Sequence, residues 1–255
     1  MPLLSKLALT LFLSNLFLST NSTSHFQPAI AINLNPYAHI ADIPTPDGFR
    51  RMSAENKSFA NWLRQFPLKK DKTVFLYNGQ RKQNQAAQFA VLDLPTGSKD
   101  LQQCADAVIR LRAEYLFSQQ KFSEIDFTDN NAKHYRLQPG ANRTAFDKYL
   151  ENVFAYCGTA SLEKQLNAVT SFDKIAPGDV LIKGGSPGHA MQVMDVAVNN
   201  AGKKIYLLAQ SHMPAQDMHV VINPRHPENP WYEADDLAAV NTPEWVFRKP
   251  CLKKW

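Results

Sequence analysis

Residues 177–196 read PGDVLIKGGSPGHAMQVMDV, and the fold turns on this stretch. Val180, Leu181 and Ile182 form a short apolar run suited to a buried strand. Gly184, Gly185, Pro187 and Gly188 then crowd into one loop, where glycine permits close backbone approach and proline fixes the turn. His189 opens a second apolar run through Met191, Val193 and Val196. The pattern predicts two strands joined by a glycine-rich turn, with an imidazole at the start of the second. A histidine so placed serves a turn as readily as a reaction, so its meaning depends on a partner elsewhere.

The chain has 255 residues, 44% of them hydrophobic and 20% charged, enough to bury a substantial core. Its net charge of +5 is mild, and Lys69, Lys70 and Lys72 form no run long enough for a nucleic-acid groove. No nucleic-acid partner is expected. Lys6 precedes the apolar run LALTLFLSNLFL at residues 7–18, followed by small polar residues to Ser24. That layout predicts a signal peptide over residues 1–24, giving an exported protein, periplasmic or extracellular. The apolar core is shorter than the ~20 residues a spanning helix needs, so no transmembrane segment is expected after cleavage. Residues 25–255 are expected to form one domain.

Three cysteines, Cys104, Cys157 and Cys251, leave at least one thiol unpaired within the chain. Cys157 and Cys251 are one possible pair, leaving Cys104 free. The spacing predicts a long helix over Ser98–Gln119, capped by Asp100 and striped by Leu101, Ala105, Val108, Ile109 and Leu116. Cys104 falls in its first turn, where unsatisfied N–H groups favour a thiolate. Further helices are expected over Thr144–Tyr156 and, shorter, over Ser53–Phe66 and from a cap at Thr159 or Ser161 to Ala168. Strands are expected at Thr73–Tyr77, Gln88–Leu92, Lys121–Phe127, Lys133–Leu137, Ile205–Gln210, Met218–Ile222 and Trp245–Phe247. Cys157, between two helices, is a rival nucleophile.

A cysteine starting a helix, a strand opening Gly-Asp, a strand opening Gly-His and a polar residue on the next strand occur in that order. The motifs are QCAD at Cys104, PGDV at Asp179, GHAMQV at His189 and LLAQS at Gln210. They resemble the papain-like CHAP and NlpC amidases of cell-wall metabolism. The resemblance covers roughly residues 100–211. It implies an α+β, papain-like fold: an antiparallel sheet with a packed N-terminal catalytic helix, and insertions between Cys104 and Asp179. It also implies a nucleophilic Cys104, a His189 base and Gln210, or else His212, to orient the ring. Gln103, Ser211 and His212 are the implied substrate contacts, and cell-wall peptide or glycopeptide the implied partner. The runs FANWLRQFPLK, QCADAVIRLRAEYL, GDVLIKGGSPGHA, LLAQSHMPAQDMH and TPEW resemble a family of uncharacterised exported bacterial proteins, a domain of unknown function.

Two other readings compete. His212, His219 and His226 recur at seven-residue intervals, which match neither HExxH nor a zinc-finger spacing, so no metal or other cofactor is expected. A non-catalytic envelope-associated domain that keeps the amidase fold is the alternative, with Pro230-Trp231-Tyr232 serving either a glycan edge or the core.

Overall fold

The structure, a computed structural model, describes residues 34–235, 238–249 and 251–255. The predicted signal peptide lies outside them. Residues 32–255 form one compact unit. In chain order the early elements are β1 (Phe49–Arg51), α1 (Phe59–Arg64), β2 (Gln88–Val91) and α2 (Cys104–Ser118). Then come β3 (Asp126–Thr128), β4 (His134–Arg136), α3 (Arg143–Tyr156), α4 (Thr159–Gln165) and β5 (Asn167–Ala168). The central strands are β6 (Val180–Lys183), β7 (His189–Asn199), β8 (Lys204–Gln210) and β9 (His219–Val221). β10 (Tyr232–Glu233), β11 (Ala239–Asn241), β12 (Val246–Arg248) and β13 (Leu252–Lys254) complete the chain.

The protein is α+β, with a large antiparallel sheet and, among the described residues, four α-helices. The sheet runs β2-β9-β8-β7-β6-β13-β5, with β1 also on β7 and β10 also on β8. The hairpin read from residues 177–196 is present: Lys183 pairs with His189 and Val180 with Gln192. Alternation on β7 and β8 gives the sheet two apolar faces. Ala190, Met194 and Leu207 face a core containing Val108, Ile109 and Phe146; Met191, Val193 and Leu208 face one containing Phe172, Val240 and Phe247. A register shift between Val193 and Asp195 moves the alternation along β7.

Helix α2 is buried on most sides, so its stripe is broader than an amphipathic surface helix requires. It differs from expectation at its start. The helix begins at Cys104, not Ser98, because Asp106 accepts the Gln103 N–H at 3.0 Å and stops the chain there. Asp100 does not cap it. Its Oδ1 accepts the Ala215 N–H at 2.6 Å and the Gln103 amide at 3.0 Å instead. Cys104 thereby moves from within the first turn to the first helical residue.

Other differences are local. Residues 73–77 make only isolated bridges, Phe75 to Arg81 and Leu76 to Gln216, since the neighbouring backbone is satisfied by side chains such as Gln85 and Asp217. The first half of Lys121–Phe127 is a 3-10 turn at Phe122–Glu124, not strand. The proline-rich lead-in, residues 35–51, carries a 3-10 turn at Ile40–Asp42 and ends in β1. The helix expected from Ser53 begins only at Phe59, where Ser58 caps it by accepting the Asn61 N–H.

All three cysteines are free and buried, so Cys157 and Cys251 do not pair. The sheet itself separates them: Cys157 belongs to the core under the helices and Cys251 to the core on the opposite face. Disulfide geometry needs Cα atoms within about 7 Å, less than the ~10 Å between stacked layers.

Candidate active site

A cleft of about 270 Å³ opens where the start of α2, the end of α3 and the β6–β7 loop meet. Cys104 and His189 both line it, with Cys157, Pro187, His212 and Trp245. The loop is tightly made at Gly188: a Cβ there would lie 2.3 Å from the Gly185 carbonyl oxygen and 2.4 Å from Thr159 Oγ1. Only glycine fits, and that contact fixes where the His189 strand starts.

His189 is 1% exposed. Its Nε2 lies 2.8 Å from Gln210 Oε1 on β8. Its ring packs against Trp245, Phe247 and His212, with centroids 5.3, 5.8 and 5.0 Å away. Of the two residues left open for orienting the ring, Gln210 makes the hydrogen bond and His212 packs against the ring at a tilt of 41°. Among the described residues Nδ1 has no hydrogen-bond partner. Burial chiefly pushes the imidazole down to about 4, with Gln210 opposing and His212 adding to the shift, so the ring is neutral at pH 7.

Behind Gln210 stands a polar cluster that sequence reading missed. The Gln210 Nε2 group donates to Glu244 Oε2 at 2.8 Å and lies 3.3 Å from His219 Nε2. Glu244 takes Lys82 Nζ at 2.6 Å, and His219 Nδ1 lies 2.9 Å from the Asp217 carbonyl oxygen. Burial pushes the Glu244 carboxyl up, but the Lys82 ammonium outweighs it and holds the group below the usual carboxylate range. Burial also drives His219 down to about 3, so it too is neutral. The only sequence signal for Glu244 was its place in TPEW, a run quoted without a role.

Cys104 is 8% exposed, and its thiol does not behave as its helix position suggests. Burial pushes the thiol up and Asp106 adds to that, outweighing the Ala105 and Cys104 N–H groups that favour the thiolate. Desolvation wins over the helix start. Asp106 is itself held toward its neutral form by burial, with Oδ1 unpartnered. Cys157 shares the cleft, but burial raises its thiol to about 12, which leaves it the weaker nucleophile of the two.

The expected substrate contacts divide. Gln103 and His212 line the cleft. Ser211 is fully buried: its hydroxyl reaches the carbonyl oxygens of Gln102 at 2.8 Å and Gln216 at 3.0 Å. It ties the segment before Cys104 to the strand carrying Gln210. The seven-residue histidines do not converge. His219 is enclosed beside Gln210, while His226 stands at the surface near Glu228. Among the described residues no three His, Cys, Asp or Glu side chains gather to hold a metal. The tail aromatics pin the tail: Trp231 is 2% exposed and its indole N–H donates to the Pro44 carbonyl oxygen at 2.8 Å.

The profile of the family described as "Domain of unknown function (4846)" matches residues 40–138 and 127–254. The chain belongs to this family. The match takes in every residue of the cleft and of the cluster behind Gln210. No curated protein and no solved structure matches the chain. Among the described residues no helix is long and apolar enough to cross a membrane.

Proposed function

We propose that this family member is an exported cysteine amidase of papain-like arrangement, acting on an amide bond in cell-wall peptide or glycopeptide. The observation that carries the reading is one cleft lined by Cys104 and His189, with Gln210 Oε1 2.8 Å from the ring nitrogen Nε2. His189 Nδ1 accepts the thiol proton as Cys104 Sγ attacks the amide carbonyl carbon. The Cys104 N–H, at the first position of α2, has no acceptor within the helix and is available to the oxyanion. Collapse expels the amine, which takes the proton from His189, and leaves a thioester. Water then adds to the thioester with His189 again as base, releasing the acid and restoring the thiol. A neutral imidazole beside a neutral thiol suits proton transfer during attack rather than a standing ion pair. Export rests on the apolar run at residues 7–18.

The test is incubation of the mature chain with purified cell-wall sacculi and with their soluble peptide fragments, read by mass spectrometry. New amide-cleavage products from wild type and none from Cys104→Ser are expected. Equal product from both proteins, or from neither, contradicts the reading. A non-catalytic envelope-binding domain is favoured by one observation, the Cys104 thiol pushed up by burial. That reading predicts sacculus binding that survives Cys104→Ser with no product.

A further inference from the structure

The cluster behind Gln210 determines which way round its amide sits, and with it which nitrogen of His189 carries the proton. Glu244, paired with Lys82 at 2.6 Å, is a carboxylate and only accepts hydrogen bonds. His219 Nδ1 faces a backbone carbonyl oxygen at 2.9 Å, which also only accepts, so Nδ1 carries the His219 proton. His219 is buried and neutral, so its Nε2 offers a lone pair. Two independent acceptors therefore lie on one side of the Gln210 amide, at 2.8 and 3.3 Å. The NH₂ group must face them, because the reverse orientation sets the amide oxygen against a carboxylate and a second lone pair. Oε1 then faces His189, whose Nε2 must donate to it at 2.8 Å. A neutral ring protonated at Nε2 has its lone pair at Nδ1.

We propose that Glu244 is a positioning residue that, through Gln210, holds His189 as the Nε2–H tautomer and keeps Nδ1 a bare base for the cleft. Lys82 keeps the carboxylate ionised, and His219 supplies the second constraint. The consequence for Cys104 rests on the amidase reading; the tautomer does not.

The test uses two readouts on the full mature chain. Nitrogen-15 NMR of the histidine rings at neutral pH reports the tautomer, and iodoacetamide alkylation of Cys104 reports its use. In wild type His189 is expected protonated at Nε2 alone. Glu244→Gln can accept from or donate to the Gln210 amide, so a second, Nδ1–H population is expected to appear. Alkylation of Cys104 should then slow by about three- to tenfold. Lys82→Met with Glu244→Gln orphans no buried charge and should give the same two changes if the single variant folds poorly. Wild-type His189 protonated at Nδ1, or a tautomer unchanged in both folded variants, overturns the proposal. A tautomer that shifts while alkylation does not upholds the positioning and counts against the amidase reading alone.

Discussion

Two buried polar networks hang from β7, and they differ in how they end. The first centres on Asp195, fully buried in mid-strand. Its carboxylate takes Arg51 Nε at 2.7 Å, Arg64 Nη2 at 2.7 Å and the Val196 N–H at 2.9 Å. Arg51 Nη2 goes on to the Ile40 and Ile43 carbonyl oxygens, and Arg64 Nη2 to that of Met52. This network runs back into the backbone of the lead-in and ties it, β1 and α1 to the sheet. The second network runs Lys82, Glu244, Gln210, His189, and ends on a ring nitrogen with no hydrogen-bond partner among the described residues, on a residue that lines the cleft. Both hold charge out of water by pairing it. A network that returns to the backbone holds the fold, whereas one that stops at a ring nitrogen beside a cleft is where the proposed chemistry would act.

The sharpest way to break this comparison is to cut each network at its charge. Asp195→Ala leaves two partly buried arginines without their carboxylate and should cost about 3–5 kcal/mol of stability. Chemical denaturation checks it, and alkylation of Cys104 in the folded fraction should be unchanged. A large change in Cys104 reactivity would mean that the two networks are not separate.

Acid should act on the second network through its neutral rings. His189 is held at about 4 and His219 at about 3, against an ordinary 6.5. Below pH 6.5 the unfolded chain takes up protons that the folded chain refuses. Their contribution is therefore complete above 6.5 and is lost as pH falls toward 4, on the order of a few kcal/mol for the pair. Denaturant midpoints measured from pH 7.5 to 4.5 check this; a midpoint flat over that range, or rising toward acid, contradicts it.

Smaller is the effect of the loop. Gly188→Ala puts a methyl against Gly185 and Thr159 and should cost about 1–3 kcal/mol, with His189 displaced. Alkylation of Cys104 should slow with it. Smallest is Asp106→Asn, which keeps an acceptor for the Gln103 N–H and replaces a carboxyl that burial already holds toward its neutral form, so alkylation of Cys104 should change by less than about twofold.

Much of this was legible in residues 177–196, because a strand of Val, Leu and Ile, a glycine loop and a Gly-His start leave few alternatives. Gln210 came from the amidase resemblance, with His212 left open beside it; of the two, Gln210 makes the hydrogen bond to His189 Nε2. What sequence could not supply was long-range: Lys82 and Glu244 are 162 residues apart, and nothing local marks them as a pair. The start of α2 was missed because Asp100 looks like a cap in one dimension, while in three its carboxylate serves Ala215. The thiol shift was missed for the same reason. A helix start is local, but the burial that overrides it involves segments distant in sequence, those that line the cleft with Cys104: the end of α3, the β6–β7 loop and His189.

The central claim is that Cys104 and His189 act as a pair, and competitive alkylation of the three free thiols tests it most directly. Limiting iodoacetamide at pH 7.5, with each cysteine followed by peptide mass spectrometry, gives three rates in one folded sample. The account predicts that Cys104 reacts faster than Cys157 and Cys251, and that His189→Ala slows Cys104 by about tenfold while leaving the other two unchanged. A Cys104 rate no greater than that of Cys157, or one indifferent to His189→Ala, contradicts it.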